Sequence, residues 1–405
     1  MNEKWEVVVI GAGAAGMFAA WRAAARGRRV LLLEKNRKAG VKILMSGGTR
    51  CNLTHAATAR DMAAAFGRQG ERFLHAPFAC LGPEDVVDLF HSWGVPTKVE
   101  ETGKVFPVSN RALDVARACI AAVQNAGAVM SLGEPVEQLV RVGDDYEITT
   151  PARTVTTPRV VLSSGGRSWP GCGTTGDGYA WAKQLGHKIV PTRPALAPLT
   201  STATWLHELQ GVTLSDVRLS AVEPGAKPAD TRRGSLLFTH FGLSGPVAMD
   251  LSRAITERPA ADWSAVFDFT PDVVEEQLRE RLRSGGKNVL AVLTELLPRS
   301  VVEQLLAIAG VPPDQRTAEL GKAATGRIVD AVKRGRAPLS GTLGFKKAEV
   351  TAGGVSLKEV ASRDMQSRVS PGLYLAGEVL DLDGPIGGYN FQSAFATGYL
   401  AGESV

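Results

Sequence analysis

One stretch near the start of the chain constrains the fold more than any other. Between Trp5 and Lys35 a β-branched run, Val7-Val8-Val9-Ile10, stops at Gly11, and Gly11, Gly13 and Gly16 form a G-x-G-x-x-G turn. The Ala-rich residues that follow predict a helix from Ala14 to Arg26, and a second apolar strand, Val30 to Leu33, closes on Glu34. Each part has a mechanical role in holding a dinucleotide. Gly11 permits the tight turn, Gly13 lets backbone approach a pyrophosphate, and Gly16 lets helix and strand pack closely. The helix N-terminus offers free N–H groups and the positive end of its dipole. Glu34 stands where a carboxylate accepts hydrogen bonds from a ribose. The motif alone is weak; with a strand before it, a helix after it and the acid at the expected distance, it predicts a dinucleotide site.

At 405 residues the chain exceeds what one hydrophobic core usually serves, which predicts two or three domains. Its 44% hydrophobic and 21% charged residues describe a globular chain rather than a disordered one. A net charge of +5 permits an anionic partner without requiring one, and the short basic groups, such as Lys333-Arg334-Arg336, read singly as solvated faces. Cys51, Cys80, Cys119 and Cys172 stand far apart with no C-x-x-C. That spacing argues against a redox dithiol and a zinc site, so no metal is expected, and it favours a reducing, cytoplasmic setting. The first apolar run is broken by the glycine turn, unlike a signal peptide, and no uncharged apolar run reaches membrane-spanning length.

After the opening unit, Ser46-Gly47-Gly48-Thr49 is too rich in small residues for a helix interior and too polar for a buried strand. Its exposed N–H groups suit an anion or a flat ring, with Arg50 and Asn52 as side-chain donors. Cys51 reads either as a reactive thiol or as a small buried hydrophobe. Residues 61–95 and 112–125 carry helical spacing, whereas Thr102 to Arg111 reads as a turn-bounded loop. Strands are expected at 129–132, 136–140 and 146–150, and Val160-Val161-Leu162 forms a buried strand ending at Gly165-Gly166. From Pro191 the pattern turns to alternating strands, and from 271 to helices. Gly372 to Leu375 is a last apolar strand ending on Gly377-Glu378. Gly384-Pro-Ile-Gly-Gly-Tyr-Asn-Phe-Gln then leads into a small-residue helix expected from Gln392 to Ala401. Gly-rich turns after several apolar strands predict a shared site at the strands' carboxyl ends.

The ordered blocks GAGAAG, SGGTRCNLT, VVLSSGGRSWPGCGTTGDGYAWA, LLFTHFGLSGP, EVTAGGV and GLYLAGEVLDLDGPIGGYNFQSAFATG resemble the BaiN/YhiN-like bacterial FAD-dependent oxidoreductases over nearly the whole chain. The resemblance implies an α/β fold: a Rossmann-like, glutathione-reductase-type FAD-binding domain in two segments (1–190 and 338–405). A β-barrel-like module (191–270) and a helical module (271–337) interrupt it and are expected to shape a substrate pocket. It also implies FAD contacts at Gly11, Gly13, Ala15, Gly16, Glu34, Lys35, Ser46, Gly47, Gly48, Thr49, Arg50, Asn52, Val136, Gly377, Glu378, Gly388, Tyr389, Asn390 and Phe391. The chain departs from the commoner family wording at Thr49, where Gly is usual, and at His55, where Asn is usual.

The expected activity is reduction of an activated C=C bond by hydride transfer from flavin. Reduction of a uridine in ribosomal RNA, oxidation of a small amine, and FAD binding without turnover are the alternatives. No second dinucleotide motif is present, so NADH or NADPH is expected to dock only transiently. Arg50, Cys51 and Tyr389 are candidate catalytic residues by their nearness to the inferred cofactor loops.

Overall fold

The computed structural model describes residues 3–283 and 285–405. The chain forms two compact units: one runs to Arg193 and resumes at Glu349, and the other spans Pro194–Ala348.

The first unit is built on a five-stranded sheet in the order Leu373–Leu375, Val160–Leu162, Val7–Ile10, Val30–Glu34, Val129–Leu132. Every pairing is parallel, and Leu375, Leu162, Ile10, Leu33 and Ser131 lie in one row at its carboxyl end. All of these strands but Val129–Leu132 are buried along their whole length. Parallel strands need crossovers that cover both faces, which is why these segments read as continuous apolar runs rather than as alternation.

The Ala14–Ala25 helix packs along the Tyr389–Ser404 helix. The close approach has a cause in the sequence. A Cβ on Gly398 would collide with the carbonyl oxygen of Ala15, and one on Gly402 with that of Ala19, so small residues four apart face small residues four apart. Phe18 fills the space beside this seam, with its ring 4.4 Å from Phe395 and 5.6 Å from Trp93. Full burial of a side chain such as Phe18 contributes about 1.5–3 kcal/mol.

Several local expectations shift. The 61–95 stretch is three helices, Ala59–Ala64, Gly67–Cys80 and Pro83–Ser92, broken where Gly67 takes a φ of 69° and again before Pro83. The strand expected at 136–140 is Gln138–Val142. The C-terminal helix starts at Tyr389, three residues before its expected start, because Gly388 at φ 97° turns the chain into it. The segment expected to be a loop at 102–111 contains a strand, Lys104–Pro107, paired with both Thr54–His55 and Thr97–Val99. Gly103 and Pro107 masked it: punctuating residues flanked a run only three residues long, and its partners come from elsewhere in the chain.

The second unit carries a seven-stranded antiparallel sheet in the order Gly335–Leu339, Trp263–Asp268, Thr213–Val222, Asp230–Thr239, Gly242–Ser244, Leu199–Thr200, Gly341–Thr342. Its two outermost strands are separated in sequence only by Ser340. Ser340 N donates to the Thr200 carbonyl at 2.9 Å and Ser201 Oγ to the Pro338 carbonyl at 2.6 Å, so the edges meet and the sheet curls into a barrel-like form. The helices Glu275–Arg283, Arg299–Ala309 and Lys322–Arg334 share its core, with Leu278, Leu305 and Val329 in one cluster with Phe267. Lys333, expected on a solvated face, instead turns inward, its side chain only 9% exposed. Its ammonium pairs with Asp268 at 2.6 Å and donates to the carbonyls of Thr270 and Val273. Among the described residues no helix is long and apolar enough to cross a membrane.

Candidate cofactor site

The carboxyl end of the parallel sheet brings Gly11, Glu34, the Ser163–Gly166 turn and Gly377 to one edge. The three glycines of the first turn do different work. Gly11 has a φ of 102°, and a Cβ there would stand 2.7 Å from the Ser163 carbonyl oxygen. A Cβ on Gly16 would collide with the carbonyl oxygen of Gly11. Around Gly13, by contrast, nothing lies within 4 Å of an added Cβ. Gly11 and Gly16 therefore close the strand–turn–helix joint, and Gly13 faces open space at the N-terminus of the Ala14–Ala25 helix. That is where free N–H groups and the dipole favour an anion. Ala15 packs beneath this opening, against the backbone of Gly377.

The Glu34 carboxylate is buried and accepts from Ala12 N at 2.7 Å and Asn36 N at 2.8 Å, one donor to each oxygen. Each oxygen retains a lone pair for a hydroxyl. Lys35 turns elsewhere: its ammonium donates to Thr175 Oγ1 and Asp177 Oδ2, both at 2.6 Å, tying the strand end to the Asp177–Gln184 helix. Val136 is half-buried against the same core, two residues after Glu134, whose N–H donates to the Glu34 carbonyl at 2.9 Å.

The Ser46–Asn52 loop is a run of left-handed backbone, with φ of 54° at Gly47, 66° at Gly48, 68° at Thr49 and 61° at Cys51. Gly48 opens onto free space. Thr49 occupies a conformation that a side chain resists by roughly 1–2 kcal/mol. Thr49→Gly is therefore expected to stabilise the cofactor-free protein by about 1 kcal/mol in urea denaturation. An unchanged or lowered midpoint would show that contacts of the Thr49 side chain outweigh the strain.

Arg50 is committed to the three-stranded sheet. Its guanidinium pairs with Glu100, donates to Asn110 Oδ1 at 3.2 Å and lies 3.9 Å over the Phe106 ring. Cys51 is fully buried, and desolvation pushes its thiol up to about 12. The structure thus resolves the two readings of Cys51 toward a packed, neutral thiol, because a nucleophile needs thiolate and access. Asn52 Oδ1 is buried without a hydrogen-bond partner, as is Ser164 Oγ beside the second glycine turn.

The second segment closes the site. Gly388 leaves no room for a Cβ against the backbone of Thr54, and Thr54 Oγ1 donates to Gln392 Oε1 at 2.7 Å. The Tyr389 ring stacks on His55 at 5.2 Å and meets Phe66 at 6.4 Å. Asn390 clamps the preceding loop, accepting from Gly384 N at 2.8 Å and donating to the Gly384 carbonyl at 3.0 Å. Phe391 continues the helix, stacking toward Phe395 at 5.8 Å. The loop at 46–54 and the helix start at 388–392 are thus one structure.

Glu378 is held more tightly than a polyol-binding carboxylate needs to be. Oε1 accepts from Ser168 Oγ at 2.6 Å and Thr351 N at 2.8 Å, and Oε2 pairs with Lys42, which also donates to Ser168 Oγ at 2.7 Å. Sequence reading missed Lys42, Ser168 and Thr351. Ser168 and Thr351 lie in blocks singled out above, but nothing local assigns them a common acid. Sequence reading also missed Asp381. Burial and the neighbouring Asp383 push its carboxyl above the ordinary range, against the Arg193 charge. His55 bonds the Gly387 carbonyl through Nδ1 at 3.1 Å. Among the described residues no three His, Cys, Asp or Glu side chains group to hold a metal ion.

A family model described as the HI0933-like protein Rossmann domain matches residues 5–404. The chain belongs to this family. Over its full length it is 33% identical to the ribosomal RNA dihydrouridine synthase of Escherichia coli, covering 98% of that protein. It is 31% identical to the 3-dehydro-bile acid delta(4,6)-reductase of Clostridium scindens, over 98% of each chain. Among solved structures, the 3-ketosteroid delta1-dehydrogenase of Sterolibacterium denitrificans superposes with a TM-score of 0.53 at 15% identity, covering 99% of both chains. At that identity the likeness is one of fold alone.

Proposed function

We propose that the protein is an FAD-dependent oxidoreductase that reduces a C=C bond conjugated to a carbonyl. The observation that carries this reading is the assembly at the sheet's carboxyl edge. The open space at Gly13, the Glu34 carboxylate, the unpartnered Asn52 Oδ1 and the Tyr389–Ser404 helix start all belong to one unit. These residues fit a dinucleotide that is extended at one end. Gly11, Gly13 and the helix N-terminus take the diphosphate, the Glu34 carboxylate and the Lys35 backbone the adenosine end, and Ser46–Asn52, Gly377–Glu378 and Gly388–Phe391 the remainder. Val136 lines the adenosine side. When bound, FAD supplies hydride chemistry. The N–H groups at the start of the Tyr389–Ser404 helix favour negative charge placed before them. Asn390 fixes the loop leading to that helix, and Tyr389 is wedged by His55 and Phe66.

The two full-length relatives name one chemistry. Dihydrouridine is uridine with its carbonyl-conjugated 5,6 double bond saturated, and the delta(4,6)-reductase name describes saturation of double bonds in a keto substrate. Ribosomal RNA is the substrate class this comparison favours. NADH or NADPH is the proposed donor, docking transiently, and the four free cysteines support a cytoplasmic setting.

The purified protein is expected to be yellow with FAD. Reduced anaerobically with NADH or NADPH in parallel, it should be reoxidised by uridine-bearing ribosomal RNA or a small enone faster than by dioxygen. A colourless preparation indifferent to FAD would sink the proposal, and so would reoxidation by dioxygen alone.

A further inference from the structure

The first unit also carries a concave surface lined by residues other than those assigned to the cofactor. It is a groove of about 780 Å³ lined on one side by the Gly67–Cys80 helix and on the other by the chain from Leu357 to Arg368. Four cations rim it: Arg68 and Arg72, one helical turn apart, and Lys358 and Arg368. All four are exposed. No carboxylate is among the described residues that line the groove. The cations of the same unit elsewhere are commonly paired: Arg22 with Glu403, Arg50 with Glu100, Arg153 with Glu134, Lys35 with Asp177. Among the described residues, none of the four groove side chains has an ion-pair or hydrogen-bond partner. Four like charges gathered without counterions cost free energy by mutual repulsion, and an anion relieves it.

We propose that this groove binds the sugar-phosphate backbone of an RNA substrate. The inference rests on the reading of the protein as a reductase acting on RNA. The groove's chemistry favours a backbone over a free nucleotide. Its aromatic residue, Phe73, is buried in the core and offers no open ring face for a base. It also lacks the kind of carboxylate that Glu34 supplies for ribose hydroxyls. What it presents is charge along an open channel, and charge alone reads phosphate. Its position suits an RNA whose target base must enter the cofactor cleft. Arg68 lies two residues beyond Phe66, whose ring meets Tyr389, and Gly70 on the same helix packs on Leu382. A strand held here passes close to the loop that leads into Tyr389. A base extruded from that strand has the cofactor site beside it.

The test uses the FAD-loaded protein and a fluorescently labelled, uridine-containing single-stranded RNA, with binding read by anisotropy across a salt series. Four phosphate contacts predict roughly a fiftyfold loss of affinity between about 50 and about 200 mM salt. The combined variant Arg68→Gln, Arg72→Gln, Lys358→Gln, Arg368→Gln should lose most of that salt dependence. It should keep its flavin absorbance, its rate of reduction by NADH or NADPH and its turnover of a small enone. Should the combined variant fail to fold, Arg72→Glu alone is expected to flatten the salt slope by about one contact. An unchanged slope in the folded variant overturns the proposal. So does a slowed reduction by NADPH with RNA binding intact, which would make the groove a nucleotide site. If RNA binds through the groove but never reoxidises the flavin, the groove stands and the reading of RNA as substrate falls.

Discussion

Gly16→Ala is expected to cost at least about 3 kcal/mol of stability and to yield protein without bound FAD, whereas Gly13→Ala should fold normally and still lose the cofactor. The two positions are three residues apart in one motif, and geometry separates them. At Gly16 the added methyl collides with the Gly11 carbonyl oxygen. Backbone cannot rotate away as a flexible side chain does, so the helix must lift from the strand. Val8, Val9 and Phe18 would lose their packing with it. At Gly13 the φ of −83° is open to any residue and the added methyl meets nothing. Only the loss of glycine from the start of the helix remains as a stability cost, about 0.5 kcal/mol. The space it fills is the space assigned to the diphosphate, so FAD affinity should fall at least about tenfold, or 1.4 kcal/mol. Urea denaturation of the cofactor-free proteins and FAD titration measure the two effects separately. A Gly13→Ala protein that keeps full FAD affinity would remove the diphosphate from this opening.

Glu378→Ala carries the second large effect. The carboxylate is the common acceptor for Lys42, Ser168 Oγ and Thr351 N, which come from three separate stretches of the first unit. Its loss leaves the Lys42 ammonium with only the Ser168 hydroxyl and the Thr351 N–H without its acceptor. Breaking a buried pair costs 3–5 kcal/mol; because both side chains retain some exposure, about 2–3 kcal/mol is expected here. Glu378→Gln preserves a neutral acceptor for Ser168 and Thr351 and should cost about half as much, the remainder reflecting the unpaired Lys42. Lys42→Met combined with Glu378→Gln should recover part of the loss. If Glu378→Ala unfolds at the wild-type urea concentration, the network is ornamental to the fold and its worth lies in the cofactor alone.

The local backbone of the candidate cofactor site was legible in the chain. A β-branched run ending on glycine has few destinations, and the G-x-G-x-x-G spacing followed by Glu34 specifies the turn, helix and acid in order. The GGYNFQ block likewise announced a helix start, misplaced by only three residues because the role of Gly388 as its cap depends on backbone fitted against Thr54. The Lys104–Pro107 strand was illegible for a different reason: its hydrogen bonds go to Thr54–His55 and Thr97–Val99, and no local pattern encodes a partner.

By itself, then, the sequence determined which segments are strands ending in glycine, because backbone conformation and burial pattern are written residue by residue. Its motif blocks, through their resemblance to known flavoproteins, also implied a Rossmann-like architecture. Only the tertiary structure decided what the side chains at those strand ends do. It turned Arg50 toward Glu100 and Lys35 toward Asp177, buried Cys51 beyond reach, and gave Glu378 three partners. It also left Arg68, Arg72, Lys358 and Arg368 facing one groove with no acid among them. Spacing along a chain limits where backbone can turn, but a charge finds its partner only across space.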